Sequence, residues 1–263
     1  MGTQNRKLFF LVALPRSGNT LFASIMNQNP EIAATANSVT LEIIKNLYLI
    51  KTTDTFQNFP DYRSLDNVLD NVFTNYYQQW SQRIIIDRGP VMLSGNPGNF
   101  ELMKKHFKPG FKCIILLRDL MEVFASYMQW YTENPDSFVN KLGSNDEEKL
   151  LALMIKDGAI VKDLKAIQNA YNYPEICHFV KYDDIVTNPE QEFRKIYKFL
   201  DEPYFNHNFE NPSDVEVNGL KYDDTVVGSN MHKLFSGKVR KVYNPYIKNI
   251  PERIRKKYGH IKI

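Results

Sequence analysis

The chain has 263 residues, 43% of them hydrophobic and 24% charged, with a formal net charge of +3. This composition is ordinary for a globular protein, and the length allows a sizeable core. The charge balance is too mild to favour nucleic acid as a partner, and no apolar stretch reaches the length that spans a bilayer.

Residues 7–14 are almost wholly apolar and predict a buried strand. A basic pair precedes the run, as at the start of a signal peptide, but the run leads straight into a loop and reads as the first core strand. The loop is "ALPRSGNT", residues 13–20, and a helix over 19–28 follows, with Leu21, Phe22, Ile25 and Met26 on one side. Residues 38–50, opened by Ser38, and 61–80 read as helices. A second strand over 83–87 leads into a turn-rich stretch and a helix ending at His106. A third strand spans 111–117, and the capping-box spacing of Asp119 and Glu122 starts a helix at once. Residues 145–171 predict one long amphipathic helix, and 175–180 a fourth strand. Asn188, Pro189 and Gln191 open a further helix, with proline at its first position. Residues 203–249 are loop-rich, and "PERIRKKYG" closes the chain as a short helix.

Cys113 and Cys177 both lie in apolar strand-like runs, so they read as buried, reduced thiols. With no membrane span, the expectation is a soluble, cytoplasmic protein. Strands alternate with helices, which predicts an α/β fold: a P-loop-like three-layer αβα arrangement around a central, mainly parallel sheet. No repeat or linker divides residues 1–263, so they read as a single domain. Nothing in the sequence sets the oligomeric state.

The strand–loop–helix at the start carries the first chemistry, because it aims backbone N–H groups and a helix dipole at an anion. Against the phosphate-binding pattern G-x-x-x-x-G-K-[ST], Ala13 takes the first glycine position and Gly18 the second. Asn19 stands where the lysine belongs, and Thr20 fills the Ser/Thr position. Arg16 is the only cation in the loop, and the third strand ends in Arg118 with no obvious carboxylate for magnesium. The loop therefore reads as a metal-free anion site worked by arginines and amides. A tight turn that merely starts a helix is the plainer alternative.

"LPRSGNTLFASIMNQNPEI" resembles the 5′-phosphosulfate loop of sulfotransferases that use 3′-phosphoadenosine 5′-phosphosulfate (PAPS). Asn19 departs from that family's usual Thr or Ser. "CIILLRDLMEVFASY" is similar to its 3′-phosphate site, a strand followed by Arg-Asp and a serine eight residues after the arginine, here Arg118 and Ser126. "IIIDRGPVML" and "VKYDDIVTNPEQEFRKIYKFLDEP" match two further segments in the family's order. The resemblance implies donor contacts from Pro15, Arg16, Ser17, Gly18, Asn19, Thr20, Leu21, Arg118, Ser126 and Tyr182. It adds Lys238 and Arg240, from a basic stretch that otherwise reads as a solvated loop. It implies transfer of a sulfuryl group from PAPS to an acceptor hydroxyl, releasing adenosine 3′,5′-bisphosphate (PAP), with no metal. The acceptor class favoured is a carbohydrate or other small molecule.

Arg16 and Arg88 are the cations placed to stabilise charge on the transferring group, although Arg88 could instead pair with Asp87 or another carboxylate. The base is the least defined part. Tyrosine sulfotransferases carry a glutamate where this chain has Asn37, and cytosolic relatives use a histidine after the second strand where this chain reads Asp87-Arg88-Gly89. Asp87 ranks first, with Glu42, on a solvated helix face, and His232 behind it; His207 reads as structural. Two rival functions remain: a P-loop kinase using Mg-ATP, and a non-catalytic PAP-binding module.

Overall fold

The computed structural model describes residues 6–35, 37–89, 97–106, 110–155, 158–226, 231–234 and 236–263. Five parallel strands form the central sheet in the order β2-β3-β1-β4-β5. They are β1 (Lys7–Ala13), β2 (Ile32–Ala34), β3 (Ile84–Asp87), β4 (Lys112–Leu117) and β5 (Cys177–Lys181). Strand side chains alternate between faces, and β1 shows the result. Phe10 and Val12, followed by Leu14, enter one apolar cluster, while Phe9, Leu11 and Ala13 enter another. A strand buried on both sides is why "LFFLVAL" has no polar alternation.

Helices cover both faces. On the first cluster's side lie α2 (Thr40–Leu49), α4 (Tyr62–Tyr76), α6 (Leu120–Glu133), α7 (Asp146–Leu153), α8 (Ala159–Ala170) and α11 (Glu252–Tyr258). The other cluster takes α1 (Asn19–Met26), α9 (Tyr182–Thr187) and α10 (Pro189–Leu200). A short α3 (Asp54–Asn58) links α2 to α4, and α5 (Pro97–His106) precedes β4. The three-layer α/β expectation holds.

Several boundaries differ from the sequence reading. β2 was not predicted; three residues, Ile-Ala-Ala, are too few to show a period, and pairing with β3 makes them a strand. The long helix over 145–171 is two helices. Gly158 stands at the break, where a Cβ would lie 2.3 Å from the Leu153 carbonyl oxygen. The loop-rich tail contains a hairpin, β6 (Glu216–Val217) and β7 (Leu220–Lys221), turned by Asn218 and Gly219 at φ 51° and 77°. Asn-Gly is the favoured pair for such a turn, so this element was readable. Asp119 does cap α6, accepting from Met121 N and Glu122 N, but the Glu122 side chain turns to Arg118 instead of closing the box. Asn188 offers no side-chain cap to α10, although Pro189 opens that helix as expected. Residues 90–96, within the turn-rich stretch and the matched segment "IIIDRGPVML", lie outside the described residues.

β1 sits at the centre of the sheet, and the chain moves to one side of it through β2 and β3 before crossing to β4 and β5. Such a reversal opens a crevice at the carboxyl ends of the strands. The loop after β1, Arg88 after β3 and Arg118 after β4 all emerge there.

Candidate active site

The loop between β1 and α1 is held in an anion-receiving shape. Arg16 and Gly18 both have positive φ, 68° and 91°. Alternation of this kind turns successive N–H groups into a concavity that suits an anion. Gly18 forms the N-cap of α1 without a side-chain hydrogen bond, so the first-turn amides have no capping oxygen. A Cβ on Gly18 would lie 2.5 Å from Cδ2 of Tyr182, so the ring of Tyr182 packs directly on the loop backbone. Ser17 is fully buried, and its Oγ has no hydrogen-bond partner among the described residues. A buried hydroxyl in that state can donate to an anion's oxygen.

Asn19, in the lysine position, turns inward. Its Nδ2 donates to the Leu14 carbonyl at 3.3 Å, and the residue is buried. Its side chain braces the loop, which leaves its backbone N–H as the group offered to a ligand. Pro15 forms the turn before it, and Leu21 packs against the α1 cluster. The Thr20 side chain lies beside that of Tyr222.

The segments after β1 and β4 meet here. Arg16 Nε donates to Ser126 Oγ at 3.0 Å, across 110 residues of chain. Arg118 Nη1 donates to the Arg16 carbonyl at 2.6 Å. The Arg118 guanidinium lies over the Tyr182 ring, 4.3 Å from its centroid, and Nε pairs with Glu122 at 3.1 Å. Burial lowers the pKa of Arg16, and the positive charge of Arg118 pushes the same way. Two guanidiniums crowded into a buried corner favour an anion that relieves the repulsion.

Arg88 leaves β3 toward the same crevice. Its backbone N–H donates to Thr35 Oγ1 at 2.8 Å, its Nη1 donates to Asn37 Oδ1, and its Nε is buried without a partner among the described residues. It therefore makes no pair with Asp87.

Asp87 is differently placed from the sequence expectation. It is 0% exposed. Its Oδ2 accepts from Ser38 Oγ and Thr40 Oγ1, both at 2.8 Å, and from the Tyr77 hydroxyl. Burial raises its pKa, against the pull of those three donors. A carboxylate sealed in this way ties β3 to the start of α2 and to α4; an acceptor hydroxyl does not reach it in this geometry. Glu42 is exposed on α2. His232 lies beside the loop, with Nδ1 2.5 Å from Asp224 Oδ1.

Lys238 is exposed and paired with Glu210 at 2.9 Å, and Arg240 is exposed. Their neighbour Lys241 reaches the Arg118 region instead, 2.8 Å from Asp183 and 3.7 Å from Glu122. Lys241, Tyr222 and Asp224 escaped sequence reasoning, since the loop-rich tail has no period to read. Glu122 as the partner of Arg118 had a signal, the i,i+4 spacing.

Comparison with known proteins bears on the fold and the family. A candidate protein-tyrosine sulfotransferase of Caenorhabditis briggsae is 23% identical over 203 residues, covering 75% of this chain and 66% of that protein. The chain thus spans slightly less than two thirds of that relative's length. The fold is similar to that of mouse sulfotransferase SULT7A1, solved with PAP, at TM-score 0.57 and 14% identity over 96% of this chain and 82% of that one. It is also similar to the sulfotransferase domain from the curacin biosynthetic pathway, at TM-score 0.53 and 17% identity over 98% and 92%. The model of the Sulfotransferase family matches residues 9–206, from β1 past the end of α10, and the chain belongs to that family.

Proposed function

We propose that the protein transfers a sulfuryl group from PAPS to the hydroxyl of a carbohydrate or other small molecule, releasing PAP. The observation that carries this reading is the junction of Arg16, Arg118, Ser126 and Tyr182 at one end of the sheet. The loop amides and Ser17 would hold the 5′-phosphosulfate, and Arg118 with Ser126 the 3′-phosphate. Tyr182 would lie along the nucleotide. Lys238 and Arg240 remain candidates for the same phosphate, and Lys241 joins them through Glu122.

Sulfuryl transfer proceeds in line, with negative charge growing on the leaving phosphate oxygen and on the sulfuryl oxygens. As in loose phosphoryl transfer, catalysis is mostly positioning and electrostatic stabilisation. Arg16 and Arg88 would supply positive charge where it grows, and Asp87 would keep the end of β3 in place.

The test is calorimetric titration with PAP, AMP and Mg-ATP, followed by transfer from labelled PAPS to a panel of hydroxyl compounds. Selective PAP binding with transfer supports the reading. Preference for Mg-ATP would replace it with the kinase, and PAP binding without any transfer would leave a binding module. A tyrosyl hydroxyl of a protein is the second acceptor reading, favoured by the similarity to the Caenorhabditis briggsae protein. Tyrosine-containing peptides therefore belong in the panel.

A further inference from the structure

Neither place where the resembled families keep a base holds the same group in this chain: Asn37 stands at the first, and at the second Asp87-Arg88-Gly89 offers only a carboxylate that is buried and bonded to three hydroxyls. The fold brings a titratable pair to the loop from the tail. His232 Nδ1 lies 2.5 Å from Asp224 Oδ1, and the His232 backbone N–H donates to Asp224 Oδ2 at 3.0 Å. The imidazole stacks on Tyr222, with centroids 3.6 Å apart and planes 2° from parallel. Tyr222 in turn lies beside the Thr20 side chain of the loop. The preceding carbonyl, of Met231, accepts from Arg16 Nη1 at 2.7 Å. The ring is thus fixed through its Nδ1, its face and its backbone, and each attachment leads back to the loop or to Asp224. His232 and Asp224 side chains keep 18% and 21% exposure, so the pair sits at a mouth and not in the core.

We propose that His232, oriented by Asp224, is the general base that accepts the proton of the acceptor hydroxyl. This rests on the sulfotransfer reading above. Nδ1–H donates to Asp224, which leaves the Nε2 lone pair as the basic site; a carboxylate fixing the tautomer and stabilising the imidazolium is the usual way to make such a base. In the step, the acceptor oxygen bonds to sulfur as its proton passes to Nε2. The bond from sulfur to the bridging phosphate oxygen breaks, and its electron pair stays on the phosphate of PAP. The products are a sulfate ester, PAP and imidazolium, which returns its proton to water. The groups facing the ring are Asp224, whose charge favours imidazolium, Arg16 and Arg88, whose charges oppose it, and the neutral Tyr222.

The experiment compares wild type, His232→Ala and Asp224→Asn for transfer from labelled PAPS to alcohols, monosaccharides, 4-methylphenol and 4-nitrophenol. Binding of PAP is measured alongside. His232→Ala should lower kcat for alcohols and 4-methylphenol by about 10²- to 10⁴-fold, the usual span of general-base catalysis. It should spare 4-nitrophenol, which ionises without help, and leave PAP affinity unchanged. Imidazole added to the buffer should restore part of the loss. Asp224→Asn should move the acid limb of the kcat/KM profile to lower pH, because the imidazolium loses its counter-charge. An equal loss across acceptors, a loss that follows weakened PAP binding, or no loss at all would overturn the assignment. Wild type transferring to nothing in the panel would defeat the sulfotransfer reading itself, and the base with it.

Discussion

Arg118 Nη1 grips the main-chain carbonyl of Arg16 at 2.6 Å, so the arginine at the end of β4 shapes the loop at the end of β1. The two segments, 102 residues apart in the chain, are one unit. Arg118→Ala should weaken PAP by about 10- to 100-fold, the range for losing a charge-assisted hydrogen bond to phosphate. AMP, which lacks the 3′-phosphate, should lose far less. Calorimetry decides, and equal losses would mean that Arg118 serves only the loop.

Gly18→Ala tests the contact between the loop and α9. Its φ of 91° disfavours any Cβ, and the added carbon would lie 2.5 Å from the Tyr182 ring. The strain alone costs roughly 1–2 kcal/mol. PAP affinity should fall at least about tenfold, since the ring over Arg118 must also move. Unchanged affinity would show that the ring is not held where Arg118 needs it.

Asp87 separates a positioning carboxylate from a base. Asp87→Ala leaves the buried hydroxyls of Ser38, Thr40 and Tyr77 without their acceptor. It should cost roughly 3 kcal/mol or more of stability, read from the denaturant midpoint. Asp87→Asn keeps an acceptor oxygen and should keep most of the transfer activity. Complete loss of transfer with normal PAP binding would return Asp87 to the base role.

His207 makes a pH prediction. It is buried among the rings of Phe193, Tyr197, Tyr204, Phe205 and Phe209, and that burial pushes its pKa down to about 4. The unfolded chain takes up this proton near 6.5, before the folded one does. Stability is therefore full above 6.5 and falls by about 3 kcal/mol as pH drops through 4. His207→Phe should flatten this part of the melting profile; an unchanged acid slope would place its source elsewhere.

Asp163 on α8 predicts the opposite slope. Burial raises its pKa to about 7, although the charge of Arg88 opposes the shift. The folded state favours the neutral acid, so stability is greatest below 3.8 and declines by about 4 kcal/mol as pH rises to 7. Asp163→Asn should raise the melting temperature at pH 8 and leave it unchanged at pH 3. Equal melting at both would mean that the carboxyl is hydrated.

The strands and the first loop were legible because burial on both sheet faces writes long apolar runs, and because a loop that turns on positive φ needs glycine at position 18. Arg118 and Ser126 were marked by the resemblance, but the spacing does not show that Ser126 bonds to Arg16 and Arg118 to the Arg16 carbonyl. β2 was not legible, since its three residues become a strand only through β3. Asp87 misled for a physical reason: a carboxylate at a strand end beside an arginine looks accessible until Tyr77, arriving from α4, covers it. Lys238 and Arg240 were chosen by charge, whereas Lys241 is the lysine of that stretch paired with Asp183 and Glu122. In an irregular segment, sequence gives composition but not direction.

The hydrogen bond from Arg16 to the Met231 carbonyl closes a loop of 215 residues. Contacts of such separation form late, after most chain entropy has been lost. During synthesis the arginine leaves the ribosome long before its anchor exists, so a nascent chain can build the early strands but cannot fix the Arg16 side chain. On the sulfotransfer reading, affinity for PAP then arrives only once Met231 has been made, and a fragment ending before it should bind PAP poorly.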